Sequence, residues 1–178
     1  SDKVKYFAGF GYVKQDALYG DTRTNKSTSG FNRYNARVNI DANIVDKYLN
    51  LSADMAYRQE DRNSIAGSTS DVFNNMHRNP QTDPGRFPDG NLGKVSLGVN
   101  PIGLATEGGW VKDRKSVLNT RFMLDFNVPG LEGLNLKGIF SYDKIFNSIK
   151  RWTTPVDFYV WNKITGEYDG HSPNREGA

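Results

Sequence analysis

Tyr34-Asn35-Ala36-Arg37-Val38-Asn39-Ile40-Asp41-Ala42-Asn43-Ile44 alternates without exception: the even positions are aromatic or aliphatic, and the odd ones are Asn, Arg or Asp. Period two places successive side chains on opposite faces, so the stretch reads as a strand with one apolar and one hydrated face. Its length of about eleven residues exceeds that of an ordinary globular strand. It matches the roughly 9 to 11 residues with which a tilted strand crosses a bilayer. A half-buried strand of a soluble sandwich alternates in the same way, so this stretch alone leaves both environments open.

The flanking sequence repeats the pattern. Tyr6, Ala8, Phe10 and Tyr12 share one parity in a strand over about 4–14, with Gly9 and Gly11 opposite. Leu49, Leu51, Ala53, Met55 and Tyr57 oppose Asn50, Ser52, Asp54 and Arg58. A fourth strand sets Leu118, Thr120, Phe122, Leu124, Phe126 and Val128 against Asn119, Arg121, Asp125 and Asn127. A fifth runs Leu134, Leu136, Gly138, Phe140 and Tyr142, and a weaker sixth lies at Val156 to Trp161.

The connections alternate in length. Val45–Tyr48 and the Pro129-Gly130 turn are short, whereas the polar segment Asp16–Gly30 and the segment 59–115 are long. The latter, rich in Gly, Pro, Asn and Asp, far exceeds the roughly 12 to 15 residues at which structureless loops become uncommon. Outer-membrane barrels have this rhythm, with short periplasmic turns and long extracellular loops on one side. A soluble meander has no reason to segregate its loops. Tyr6, Tyr12, Tyr34, Tyr48, Tyr57 and Tyr142 near strand ends fit interfacial belts. The expected fold is therefore all-β: an antiparallel meander of transmembrane barrel strands with long extracellular loops, 59–115 being the longest. Five or six strands form an incomplete barrel with two open edges.

Composition sets the outer bounds. The chain has 178 residues, 18 Gly, 12% aromatics and no Cys, which excludes disulfides and thiolate metal sites. No apolar run approaches the roughly 18 residues of a membrane helix. A net charge of +3 gives little support to nucleic-acid binding. Ser1-Asp2-Lys3-Val4-Lys5 lacks the apolar core of a secretory signal, so any such signal is expected upstream.

Three stretches carry a family resemblance. Tyr6-Phe7-Ala8-Gly9-Phe10-Gly11-Tyr12-Val13-Lys14-Gln15-Asp16, Arg33-Tyr34-Asn35-Ala36-Arg37-Val38-Asn39-Ile40-Asp41, and Arg78-Asn79-Pro80 followed by Phe87-Pro88-Asp89-Gly90 resemble the SusC/RagA family of TonB-dependent outer-membrane transporters in order and spacing. Gly133–Gly138 and Phe140–Asp143 look like the family's next strand; the likeness fades after about Pro155. Ala17, where the family often has Gly, and Phe87, where it often has Tyr, depart from the pattern. The resemblance implies that 1–178 is a partial TonB-dependent receptor β-barrel domain, with the plug and remaining strands absent. It implies a place in the bacterial outer membrane, in contact with lipid, and active import of oligosaccharides or peptides. It also implies a SusD-like surface lipoprotein as partner, and TonB engaged through other parts of the parent chain. The alternative that the residues leave open is a soluble β-sandwich carbohydrate-binding module.

Catalysis has little to work with. His77 and His171 are far apart in loops without a second ligand at metal spacing, and Glu60-Asp61-Arg62 reads as a solvated charge cluster beside the isolated loop carboxylate Glu107. No phosphate-loop, zinc or calcium pattern is present. The expectation is a protein that is not an enzyme, without cofactor or metal. In a barrel transporter the external loops hold substrate. Trp110, Trp152, Trp161, Tyr159 and Phe87 are then the residues to stack on sugar rings, and Asn79 and Asp83, with Asn74 and Asn75, those to bond hydroxyls.

Overall fold

The computed structural model describes residues 3–17, 29–131 and 133–171, with His171 as backbone only. Five antiparallel strands, β1 (Val4–Asp16), β2 (Gly30–Val45), β3 (Leu49–Ile65), β4 (Gly109–Asn127) and β5 (Asn135–Thr153), follow one another in space in chain order. Two helices, α1 (Thr69–Arg78) and α2 (Pro101–Thr106), lie between β3 and β4, and β6 (Phe158–Asn162) pairs with β7 (Glu167–His171) in a separate hairpin. The all-β meander is as expected. The sheet is not closed among the described residues: β1 and β5 are its edges. Most of the 16–30 connection lies outside the described residues.

The chain divides into two compact units. The first comprises residues 1–15, 31–61 and 113–148, essentially the sheet; the second comprises 16–30, 62–112 and 149–178 and carries both helices and the β6–β7 hairpin.

In the sheet unit the parity of each strand is preserved across the pairings. Tyr12 and Tyr34 meet at 5.0 Å between ring centroids, and Phe122 lies 6.5 Å from Phe140. These pairs belong to one face, where Tyr6, Phe10, Val38, Ile40, Met55, Leu124 and Leu136 are all exposed. The opposite face is a hydrogen-bonded ladder: Asn39 donates to Asp54, Arg121 binds the other Asp54 oxygen at 2.9 Å, and Asn119 donates to Asp143 at 2.7 Å. Asn135 donates to Asp125 and Asn127 at the turn end.

The apolar face is a band, not a whole strand. Its apolar parity, broken only by Thr120 and Gly138, runs Val4–Tyr12, Tyr34–Ile44, Leu49–Tyr57, Leu118–Val128 and Leu134–Tyr142, about 9 to 11 residues in every case. The strands continue past it on the same parity with Lys14, Asn32, Gln59 and Asp61, Arg114 and Ser116, and Lys144. Pairing continues there through polar contacts: Arg114 binds Asp61 at 2.6 Å, and the Tyr57 hydroxyl reaches Gln59 and Ser116. Apolar side chains recur on this parity farther along: Phe146, with the Lys144 ammonium 4.6 Å from its ring, and Ile65, Trp110 and Trp152 toward the ends of β3, β4 and β5.

The polar extensions correct the reading of 59–115 as loop. β3 runs to Ile65 and β4 begins at Gly109, with the backbone N–H of Ala66 bonded to Gly109 O. Hydrophobic period two ends at Tyr57, but backbone pairing does not require apolar side chains. The connection itself holds α1, whose N-cap Ser68 accepts from the Ser70 N–H, and α2, capped by Asn100. α2, at six residues, is too short to show a 3.6-residue period, whereas in α1 Val72, Phe73 and Met76 fall on one side at helical spacing inside a segment otherwise read as loop. β5 likewise extends ten residues beyond Asp143, to Thr153. The sixth strand candidate is β6, paired with β7 in its own sheet.

Candidate functional site

The second unit is assembled around one buried amide. Asn100 is only 1% exposed; its Nδ2 donates to Gly85 O and Gly93 O, both at 2.7 Å, and its Oδ1 accepts from Ile102 N at 2.9 Å and Gly103 N at 3.4 Å. It thereby caps α2 and ties both sides of the 86–92 turn to it. Gly103 packs on Leu92, Val156 and Phe158, the small core of this unit; a Cβ there would come within 2.9 Å of Leu92 and Phe158.

On this base the segment 86–92 makes a tight hairpin. Gly90 N donates to Phe87 O and Phe87 N to Asn91 O, with Pro88 setting the bend and Gly90 at φ 98°. Arg86 braces it, bonding Gly90 O from one side and Glu107 at 2.6 Å from the other. The hairpin then joins β6 through Tyr159 N to Leu92 O and Lys94 N to Tyr159 O.

This pairing brings four aromatic rings together. Tyr168 of β7 is the hub, with centroids 5.1 Å from Phe87, 4.9 Å from Trp161 and 6.3 Å from Tyr159, all within the range of attractive aromatic pairs. Gly170, paired with Tyr159 across the hairpin, leaves room for its ring. Trp161 remains 44% exposed, so part of its indole is free for a ligand. Asp89 supplies the polar edge. Desolvation pushes its carboxyl up, but hydrogen bonds from the Asn91 N–H, the Tyr168 hydroxyl and the Asn91 amide outweigh that and hold it below its ordinary value. The Tyr168 hydroxyl is pushed up by desolvation and by the Asp89 carboxylate it binds. Ring faces beside an ionised carboxylate match the two sides of a sugar: apolar C–H faces and hydroxyl donors.

Of the predicted site residues, Phe87, Tyr159 and Trp161 therefore converge. Trp110 is half-buried with the Lys112 ammonium 4.7 Å from its ring, and Trp152 is exposed on β5; among the described residues no ring contact joins either to the cluster. Asn79 and Asp83 are engaged within the unit, Asn79 Oδ1 accepting from Leu97 N and Asp83 accepting from Ser96 N and Oγ. Asn74 and Asn75 lie on α1, and Asn75 holds Val99 N at 3.0 Å. Sequence reading missed Tyr168. The signal for it was Asn162-Lys163-Ile164-Thr165-Gly166, a turn in which Asn162 Oδ1 receives the Ile164 and Thr165 N–H groups and Gly166 takes φ 70°, returning the chain directly onto β6.

Compared with known proteins, the chain matches no family model, no curated protein and no solved structure.

If a sugar ring stacks on Trp161, Trp161→Ala should weaken oligosaccharide binding by about 1–2 kcal/mol, the scale of one aromatic contact. Titration calorimetry against a glycan selected from an array would measure it. Loss with Trp152→Ala and none with Trp161→Ala would move the site to β5.

Proposed function

We propose that this chain is the early barrel of an outer-membrane TonB-dependent importer of the SusC/RagA kind, contributing wall strands and a sugar-binding external site. The observation that carries the reading is the apolar band. Five neighbouring strands each turn about 9 to 11 residues of mostly apolar parity to one exposed face and are next followed on that parity by polar residues at the same end, as suits a bilayer-spanning wall. A sandwich would need a second sheet of similar size, whereas the only other sheet among the described residues is a pair of five-residue strands. The polar ladder of Asn39, Asp54, Arg121, Asn119 and Asp143 suits a hydrated or protein-filled lumen. The aromatic cluster suits oligosaccharide capture, with a SusD-like lipoprotein as surface partner and TonB acting through the rest of the parent chain.

These 178 residues hold no cysteine, so an introduced thiol reports their topology once any cysteine elsewhere in the parent chain is replaced. In whole cells, Ile164→Cys, at a position 96% exposed on the β6–β7 turn, should react with a membrane-impermeant maleimide. Asp46→Cys, in the β2–β3 turn, should react only after the envelope is permeabilised. Equal labelling of both in intact cells, or recovery of the protein in the soluble fraction, would sink the proposal.

A further inference from the structure

The helix-bearing unit also contains a cavity of about 470 Å³ that the aromatic site does not use. Val72 and Met76 of α1, Val95, and Ile102 and Ala105 of α2 form its apolar wall, with Pro80 and Pro101 beside them, and the groove opens to solvent past Met76 and Ile102. Its size falls within the roughly 300–1,000 Å³ of pockets that hold small molecules and is far larger than a packing defect.

The polar groups in its lining decide what can enter. Asn79 is bonded to Asn75 O and Leu97 N, Asp83 to the Ser96 N–H and hydroxyl, and the Thr106 hydroxyl to Ile102 O. Asn100 uses both donors and its acceptor within the protein. Gln81, the remaining polar residue of the lining, is exposed to solvent. Asn79 and Asp83 spend part of their bonding capacity within the protein, so a strongly polar guest would give up its water for few partners in a lining that is mostly apolar. An uncharged apolar guest loses nothing of that kind and covers Val72, Val95 and Ile102. The Met76 thioether and the two proline rings favour a flat aromatic guest over a chain, since sulfur packs well against ring systems.

We propose that this cavity binds an uncharged aromatic molecule of two to three rings, separate from the sugar site. The neutral fluorophore N-phenyl-1-naphthylamine is the probe, titrated into the full-length protein in detergent with protein-free micelles in parallel. The expected result is a saturable fluorescence rise above the micelle background. Ala105→Trp, which fills the cavity, and Met76→Lys, which sets an ammonium against the guest at an exposed position, should each weaken it at least ten-fold. The Met76→Lys variant keeps the test valid should the larger side chain disturb α2. A signal that never saturates above the micelle background, or one unchanged in both variants, would overturn the site.

Discussion

Asn100→Ala is expected to destabilise the helix-bearing unit by about 2–4 kcal/mol. Alanine removes the cap of α2, worth about 1 kcal/mol, and strands the buried Gly93 carbonyl at about 1–3 kcal/mol, whereas Gly85 O keeps the Gly93 N–H. The residue is itself only 1% exposed, so its four bonds are made out of bulk solvent. Asn100→Asp should be no milder: it keeps the capping oxygen but removes both donations and buries a charge. Amide hydrogen exchange over residues 85–107 would read the loss directly. Protection reduced by less than about five-fold, near 1 kcal/mol, would mean the four bonds are not what holds α2 to the turn. Ligand binding at Trp161 should fall with it, because Phe87 reaches Tyr168 only through the turn that Asn100 anchors.

The second large effect separates the two faces of the sheet. Leu124→Arg should cost about 2–4 kcal/mol of folding into a bilayer, the penalty for a cation on the lipid side near the midplane of a barrel wall. Met123→Arg, one residue away, should be tolerated, since its side chain shares the face of Asn119, Arg121 and Asp125. Equilibrium unfolding of the full-length protein in phospholipid vesicles would give both values. Were the sheet instead covered by protein in water, both substitutions would be judged by local packing, and no sharp contrast between neighbouring positions would follow. A Met123→Arg penalty equal to that of Leu124→Arg would therefore remove the bilayer from the explanation.

How far each feature could be read in advance follows from its physics. The alternation at 34–44, 49–57 and 118–128 is a local property, because a side chain's face depends only on its parity, and the short Val45–Tyr48 turn sets the neighbouring register. The polar ends of β3 and β4 read as loop in the sequence, since Gln59, Asp61, Arg114 and Ser116 carry no hydrophobic period although their backbones pair. α1 carries Val72, Phe73 and Met76 at helical spacing, a signal confined to about three turns and flanked by Gly, Pro and Asn. Phe87, Tyr159 and Trp161 were legible as loop aromatics, but nothing in their spacing joined them.

The strand faces, the order of long and short connections, and the bend at Pro88-Asp89-Gly90 follow from residues close in the chain and are legible there. Which aromatics form a site depends on contacts between segments far apart in the chain. Phe87 and Tyr168 are brought together by Asn100, by the Leu92–Tyr159 backbone pairing and by the β6–β7 register, contacts between distant segments whose closure no local pattern encodes. The same holds for the cavity: its walls come from α1, α2 and the arm between them, and its apolar character depends on where the polar side chains of that arm spend their hydrogen bonds.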